Sequence, residues 1–520
     1  MFDQSCGNLL VRGVNWIGDS VMTLPALRSL RRSLPDKKIS LLIKPWVSPV
    51  FENNPDIDEL IIYGDEYRGT AGKMKLSRMI AQKKFGCAIL FQNAFEAALI
   101  AFLAGIKERA GYRRDGRGFL LTSPVQVPQE KEHQVYYYLR LLERLGIDAE
   151  FSCPYIYLKI EERLHARDIL RDMKRPILGI NPGATYGSAK RWLPERFAEI
   201  ADWFIKENDG SVIIFGGKNE INIAQEIEFF INRQESNPLI PPLLKGGAGG
   251  LLNLAGKTSL RELISLISEC DVFVTNDSGP LHIAYAVRTP EVAIFGSTDP
   301  RQTGPLGKSD VVVASDLKCS PCFESDCKSN DMRCMYEVTS DDVYYGIKSL
   351  VPQMPAVFFD RDGTLCKDSG YISNLQDLHI FPDIENLVFL KRKGFRLIGV
   401  SNQSGVARGK VDEDFVKTVN EIFKKRYGFD DFYYCPHHPD EHCPCRKPEP
   451  EMILRAKIEF RTDLRKSYVV GDKETDMLLA KAVGAKGVLV TTGEAKESQH
   501  ACAVVDNLEG AVRYIIKDST

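Results

Sequence analysis

Again and again along this chain a short unbroken apolar run ends in a glycine- or aspartate-rich turn and leads into an amphipathic stretch. NLLVRGVNWIGDS (8–20), PILGINPGA (176–184), SVIIFGG (211–217), CDVFVTNDSG (270–279) and EVAIFGSTD (291–299) follow this pattern. So do AVFFDRDGT (356–364), FRLIGVSNQSG (395–405) and SYVVGDKETD (467–476). Continuous rather than alternating apolar runs mark strands buried on both faces. Their alternation with helical segments requires parallel sheets layered between helices, an α/β class. Ligands of such folds bind beyond the carboxyl ends of strands, so the chemistry is to be sought directly after each run.

A chain of 520 residues exceeds one core, and domain-size statistics suggest about three domains. Helix signals at 131–146 and 160–173 separate a first α/β domain, 1–174, from a second, 175–348. A linker at 349–355 follows, where Pro352 and Pro355 discourage a helix from crossing, and a third domain occupies 356–520. The stretch 236–250 combines prolines with a glycine run and reads as a flexible surface insertion without chemistry. A net charge of -2 argues against a general nucleic-acid-binding surface, and 27% charged with 44% hydrophobic residues is ordinary for a soluble protein. The N-terminus lacks the basic start and apolar run of a signal peptide, and no apolar stretch reaches the roughly 18 residues that span a bilayer. The expected location is cytoplasmic.

In the last third, FFDRDGTL places Asp360 at the end of a strand and Asp362 two residues on, where alternation turns both side chains towards one cleft. Gly363 frees a tight turn and Thr364 is expected to bond the neighbouring carboxylate. Such a pair can hold Mg²⁺, attack phosphorus and move a proton. An Asp–Gly turn after a strand also occurs without chemistry, so the order of further elements matters. Ser401 follows FRLIGV with Asn402 and Gln403 beside it. Arg446 and Lys447 precede Pro448, and Asp472 ends SYVV with Lys473 and Asp476 close by. Asp-x-Asp, Ser, Lys and Asp in that order form a phosphate-handling set.

Seven of the thirteen cysteines gather in two places. Cys435, Cys443 and Cys445 with a histidine supply three thiolates and an imidazole, a closed tetrahedral zinc set of structural type. His437, His438 and His442 are the rival fourth ligands. Cys319, Cys322, Cys327 and Cys334 have spacing compatible with a metal, with reduced structural thiols or with disulfides.

The first two-thirds carry NPGATYGSAKRW (181–192), where Gly183 and Gly187 allow close backbone approach and Lys190 brings charge. In TNDSGPLHIA (275–284), Asp277 and Ser278 are expected to cap a helix starting near Gly279, whose free amides suit a diphosphate. Lys190 can stabilise a departing nucleoside diphosphate. Asp19 in WIGDS is either an N-cap or a general base facing the cleft. His133 and Trp192 read as packing residues.

The last third resembles the haloacid dehalogenase superfamily of phosphatases. SNQSGVARGK (401–410), YYCPHHP (433–439) and CPCRKPEPEM (443–452) resemble the D-glycero-D-manno-heptose 1,7-bisphosphate 7-phosphatases within it. That resemblance implies Asp360 as nucleophile, Asp362 as general acid/base, and Ser401 and Lys447 on the transferring phosphoryl group. It implies Mg²⁺ between Asp360, the main-chain carbonyl of Asp362 and Asp472, with Asn402, Arg446 and Lys473 near substrate. It also favours His437 as the zinc histidine. The His437–Cys443 loop is shorter than in some relatives, which bears on anomer preference. Residues 8–345 resemble the ADP-heptose:lipopolysaccharide heptosyltransferases of type II through WIGD, FLAGIKERAGYRRDGRGFLL (102–121), PGATYGSAKRW and TNDSGPLHIA. This implies two Rossmann-like domains of GT-B architecture and inverting heptose transfer without a required metal. Asp19 would then be the base, and Thr185, Lys190, Asp277, Ser278, Gly279 and His282 would surround the donor. Glu220, in an FGGKNE string that departs from the family's forms, is the candidate for the adenosine ribose.

The expected protein is a bifunctional enzyme of lipopolysaccharide inner-core heptose metabolism that uses ADP-heptose, a lipopolysaccharide core acceptor and a heptose bisphosphate. Contact with the inner face of the inner membrane through the basic segment 107–117 is a further expectation. Competing readings keep the folds but change the substrates, to histidinol phosphate and another nucleotide sugar, or make the N-terminal half a sugar-nucleotide-binding regulator.

Overall fold

The computed structural model describes residues 7–234, 250–307 and 310–519. The proline- and glycine-rich stretch at 236–249 lies outside them. The chain forms two compact units, Met1–Ser349 and Leu350–Thr520.

The first unit holds two six-stranded sheets and the second unit a third. The first sheet comprises β1 (Leu9–Arg12), β2 (Ile39–Ile43), β3 (Glu59–Ile62), β4 (Cys87–Leu90), β5 (Glu108–Tyr112) and β6 (Ser123–Val125). The next comprises β7 (Ile177–Asn181), β8 (Ser211–Ile214), β9 (Leu251–Asn253), β10 (Val272–Asn276), β11 (Glu291–Phe295) and β12 (Val311–Ala314). The third comprises β13 (Ala356–Phe359), β14 (Arg396–Asn402), β15 (Asp431–Cys435), β16 (Tyr468–Gly471), β17 (Lys486–Val490) and β18 (Ala503–Val505). In each sheet the third, second, first, fourth, fifth and sixth strands lie in that order, all parallel. This is the doubly wound order of Rossmann-type folds, whose binding crevice opens where the chain reverses direction across the sheet. The reversal falls between β1 and β4, between β7 and β10, and between β13 and β16.

The strands at these positions owe their place to composition. Every residue of β1, β7, β10, β13 and β16 is buried, as strands covered by helices on both faces must be. Register then sets the crevice. Phe359 pairs with both Gly399 and Val470, so the residues that follow β13 and β16 leave the same edge beside the end of β14. Thr275 pairs with Asn181, which brings the 182–192 loop beside residues 277–279.

Three local expectations are revised. The sixth helix-forming stretch ends at Ile169 rather than 173, and the one before it covers Gln134–Arg144. Strand β14 continues through Ser401 and Asn402 instead of stopping before them, because both residues pair with β15, opposite Tyr434 and Cys435. Asp19 is not an N-cap: the helix Ile17–Met22 is preceded by Trp16 in extended conformation, and Asp19 lies in its first turn.

Trp192 and His133 are structural. Trp192 is fully buried, donates its indole N–H to the Val338 carbonyl at 2.9 Å and meets Phe197 edge-on. His133 caps Gln134–Arg144 through Nδ1 while Nε2 lies 2.8 Å from the Gly304 carbonyl.

Candidate active sites

At the β13–β16 edge, one ammonium sits among buried carboxylates. Lys447 Nζ lies 2.8 Å from Asp360 Oδ1 and 2.6 Å from Asp476 Oδ1, and donates also to the Val400 carbonyl. Asp360, Lys447, Asp472 and Asp476 are all buried. Burial pushes the Asp360 carboxyl up to about 8, with Lys447 pulling it down and Asp476, Asp472 and Asp362 adding to the rise. Carboxylate oxygens of Asp360, Asp472 and Asp476 all lie within 4.8 Å of one another. Lys447 offsets only part of that charge. Asp472 accepts from the Glu494 amide through Oδ2, whereas its buried Oδ1 has no hydrogen-bond partner. An orphaned oxygen among crowded carboxylates fits a hard divalent cation such as Mg²⁺. Gly363, at φ +92°, makes room: a Cβ there would fall 2.4 Å from Asp472 Oδ2.

Asp362 faces elsewhere. Its carboxylate is bonded by the Arg361 guanidinium and by Gln403 Nε2 at 2.7 Å, and Gln403 also donates to Ser401 Oγ at 2.6 Å. Burial opposes its charge, but Arg361 and these hydrogen bonds hold it below the usual carboxylate range. Asn402 accepts from the Lys447 amide and donates to its carbonyl, fixing the backbone that delivers the ammonium. Arg446 keeps a buried Nη1 without a hydrogen-bond partner, and Lys473 stands at the rim with Asp368 and Glu494. The expected Thr364 bond to a carboxylate is absent. Its buried hydroxyl has no hydrogen-bond partner.

The loop delivering Arg446 and Lys447 is gathered by sulfur and nitrogen. Cys435 Sγ is 3.3 Å from Cys443 Sγ, and His437 Nδ1 is 3.6 Å from Cys435 and 3.2 Å from Cys445. These four ligand atoms lie within 4.8 Å of one another. His438 instead caps the turn Pro439–Glu441 and pairs with Asp440, and His442 takes the left-handed conformation that closes the turn. Three thiols and one imidazole fit a closed tetrahedral site for a borderline-soft ion.

The first unit has a second lysine–aspartate pair at its β7–β10 edge. Lys190 Nζ lies 2.6 Å from Asp277 Oδ2, which also accepts from Thr298 Oγ1 at 2.6 Å. The expectation that Asp277 and Ser278 cap the following helix is corrected. Gly279–Ala286 has Ser278 at the N-cap position without a side-chain cap bond. The Ser278 hydroxyl turns to Thr275, and Asp277 is claimed by Lys190 and Thr298. Pro280 has no N–H and the Leu281 amide donates to the Ser278 carbonyl, so the Gly279 amide is the one at that helix start left for an anion. Asn276 staples the 182–192 loop to β10, donating to the Pro182 carbonyl and accepting from the Trp192 amide. Thr185 is exposed on that loop. Glu220 caps its own turn at the Gly217 amide and reaches over Gly183, where a Cβ would collide with its carboxylate.

Two helix starts meet across the cleft of this unit. A Cβ on Gly18 would sit 2.5 Å from His282 Cδ2, and one on Gly279 would press on Ile17 at 3.1 Å. This approach puts Asp19 within electrostatic reach of Lys190 and Asp277. Burial raises the Asp19 carboxyl to about 6 against the pull of Lys190, with Asp277 adding to the rise. Burial lowers buried His282 to about 4, so its imidazole is neutral at pH 7.

Arg361, Thr298, Asn276 and Glu494 take part in these networks although the motifs point elsewhere. The only sequence signal for them is position, since most lie just beyond a strand's carboxyl end.

Residues 73–332 match the family model for glycosyltransferase family 9 (heptosyltransferase), and residues 444–511 match a HAD-hydrolase-like family. Lipooligosaccharide heptosyltransferase 2 of Campylobacter jejuni is 31% identical over 341 residues, 65% of this chain and 96% of that protein. A D-glycero-beta-D-manno-heptose-1,7-bisphosphate 7-phosphatase of Photorhabdus laumondii is 40% identical over 172 residues, 30% of this chain and 90% of that protein. The structure of Escherichia coli ADP-heptose lps heptosyltransferase II superposes with a TM-score of 0.55 at 26% identity, covering 66% of this chain and 98% of the other. The α/β fold class expected from sequence, two Rossmann-like GT-B domains followed by a HAD-like domain, is the one found. With both matches spanning nearly the full length of their relatives, the chain belongs to the heptosyltransferases of glycosyltransferase family 9 and carries, fused behind them, a phosphatase unit of the heptose bisphosphate phosphatase kind.

Proposed function

We propose that the first unit transfers L-glycero-D-manno-heptose from ADP-heptose to the lipopolysaccharide core. The second unit removes the 7-phosphate of D-glycero-D-manno-heptose 1,7-bisphosphate. One observation carries this reading: each unit parks a lysine on an aspartate at the switch point of its sheet, Lys190 on Asp277 and Lys447 on Asp360. A phosphate-bearing ligand arriving there takes over the lysine. Heptose-handling relatives on both sides of the fusion support the substrates.

In the phosphatase unit Asp360 attacks phosphorus, while Lys447 and the Ser401 hydroxyl hold the non-bridging oxygens. Asp362, ionised at rest, takes up a proton as the phosphate's charge arrives and gives it to the leaving oxygen. It then draws a proton from the water that hydrolyses the aspartyl phosphate. Asp476 keeps Lys447 in line, and the uncommitted Nη1 of Arg446 faces the substrate. Mg²⁺, when held by Asp360, Asp472 and the main-chain carbonyl of Asp362, neutralises charge on the transferring group. Zinc held by Cys435, His437, Cys443 and Cys445 pins the loop that presents Arg446 and Lys447.

In the transferase unit Asp19, ionised above pH 6, takes the proton of the acceptor hydroxyl. Lys190 and the Gly279 amide receive the departing diphosphate, with Ser278, Thr185 and neutral His282 around it. Glu220 is placed for the nucleoside ribose. Among the described residues no helix is long and apolar enough to cross a membrane. Exposed Phe95, Phe102, Leu103 and Phe119 lie close to exposed Lys107, Arg113 and Arg114, which supports transient contact with an anionic membrane surface. Arg117 is excluded from that contact, because it is buried and bonded to the Tyr112 carbonyl.

Phosphorus NMR of heptose 1,7-bisphosphate with the full chain and Mg²⁺ is expected to show loss of the position-7 signal alone, for at least one anomer. Turnover of histidinol phosphate at a higher kcat/KM would overturn the substrate assignment. Heptosyl transfer is expected to fall about tenfold per pH unit below pH 6, and Asp19→Asn to lower it by about 10²–10⁴-fold. Because the folded carboxyl is raised, its contribution to stability is complete below pH 4 and lost as pH rises through 6. Asp19→Asn should therefore stabilise the unit at pH 7.5 by roughly 1–3 kcal/mol and give no gain below pH 4. A flat pH profile would exclude Asp19 as the base. Co-sedimentation with phosphatidylglycerol vesicles should weaken several-fold on Phe102→Ser with Phe119→Ser, and binding unchanged by the pair would remove the membrane surface from this face.

A further inference from the structure

The segment between β12 and the short helix Arg333–Glu337 is folded without a core. No residue from 315 to 334 is buried, and Phe323, its one phenylalanine, is 39% exposed. Ordering a chain costs conformational entropy, and a stretch that buries so little needs a cross-link to offset it. The cross-linking groups present are Cys319, Cys322, Cys327 and Cys334, all free thiols. They converge. Ser320 donates to the Gly296 carbonyl at 2.6 Å, the Phe323 amide donates to the Ser297 carbonyl at 2.6 Å, and Cys334 Sγ packs against Gly296. Cys334 and the chain neighbours of Cys319 and Cys322 are thus anchored at one dipeptide just beyond β11. The fourth, Cys327, lies 3.7 Å from Asp331 Oδ1, in the turn that leads back to Cys334.

The outer face of the same segment holds the loop that carries Lys190. The Ala189 amide donates to the Ser325 carbonyl at 3.0 Å, Ser188 Oγ to Asp326 Oδ1 at 2.7 Å and Tyr186 Oη to the Phe323 carbonyl at 3.4 Å. Gly187 is pressed so closely to Ser325 that a Cβ would fall 2.0 Å from its carbonyl oxygen. Residues 186–189 therefore take their course from 323–326.

We propose that Cys319, Cys322, Cys327 and Cys334 bind one divalent d-block metal ion as a tetrathiolate clip, and that the clip positions the Lys190 loop. Cys-x2-Cys followed by two further cysteines is a set that zinc and ferrous iron share. Unlike the ligand atoms of the phosphatase loop, no three of these sulfurs lie within 4.8 Å of one another, so metal binding has to draw the set together. Lys190 and its neighbours remain the groups that touch the donor, and the four cysteines act through them. The metal claim stands on the segment alone, whereas the positioning claim rests on the reading of Lys190 as a donor-binding residue.

Elemental analysis of the full chain, purified under reducing conditions without chelator, tests the clip. The wild type is expected to hold two d-block metal equivalents. Cys319→Ser with Cys322→Ser is expected to hold one fewer than wild type, and Cys443→Ser with Cys445→Ser to lose the other. The element found, and visible absorption from the oxidised ion, separates iron from zinc. Should the first pair fold poorly, mercurial titration of the Cys443→Ser, Cys445→Ser chain gives a second readout, with one equivalent of metal released as the remaining thiols react. Metal content unchanged by Cys319→Ser with Cys322→Ser, or alkylation showing these four cysteines oxidised in pairs, would overturn the clip. Positioning predicts that loss of this metal raises KM for ADP-heptose at least tenfold while kcat/KM of the phosphatase unit stays unchanged. Metal loss with an unaltered donor KM would overturn that half, and wild type inactive with ADP-heptose but holding both metals would point instead to failure of the donor assignment.

Discussion

The ammonium of Lys447 is the interaction on which the phosphatase centre depends. It holds the buried carboxylates of Asp360 and Asp476, and no member of the set is tolerable there alone. Removing one partner of a buried ion pair typically costs about 3–5 kcal/mol, because the other charge is left uncompensated. The arrangement still carries more negative than positive charge, and that imbalance gives the site its affinity for a cation and makes Asp360 harder to ionise until one arrives. Structure and reactivity are set by the same shortage of positive charge.

The transferase unit solves a related problem with less burial. Lys190 rests on Asp277 beside the Gly279 amide, and Asp277 keeps its bond from Thr298 when an anion draws the lysine away. Asp19 is electrostatically coupled to that pair, with Lys190 lowering and Asp277 raising its carboxyl. Glycines at positions 18 and 279 let the two helix starts approach closely enough for this coupling. One doubly wound strand order, used three times, supplies the crevices. The loops after the strands decide whether phosphorus is attacked or only held.

Much of this was legible in the sequence, and for a physical reason. Apolar runs buried on both faces announce themselves locally, and so does the polar residue that follows each one, as with Asp360, Asp472 and Asp277. What escaped local reading depends on partners distant along the chain. Asp277 next to Ser278 has the look of a helix cap until Lys190, 87 residues earlier, claims the carboxylate. Strand β14 gains Ser401 and Asn402 only through pairing with β15. Gln403 joins Asp362 to Ser401 through geometry that no spacing rule encodes.

The central claim is that one chain holds two independent heptose chemistries, each with its own carboxylate. The direct measurement is a crossed assay of the full chain, heptosyl transfer and position-7 phosphate release, on Asp360→Asn and Asp19→Asn. The account predicts that Asp360→Asn loses phosphate release and keeps wild-type transfer, and that Asp19→Asn does the reverse. Loss of both activities in either variant, with the fold intact, would contradict it.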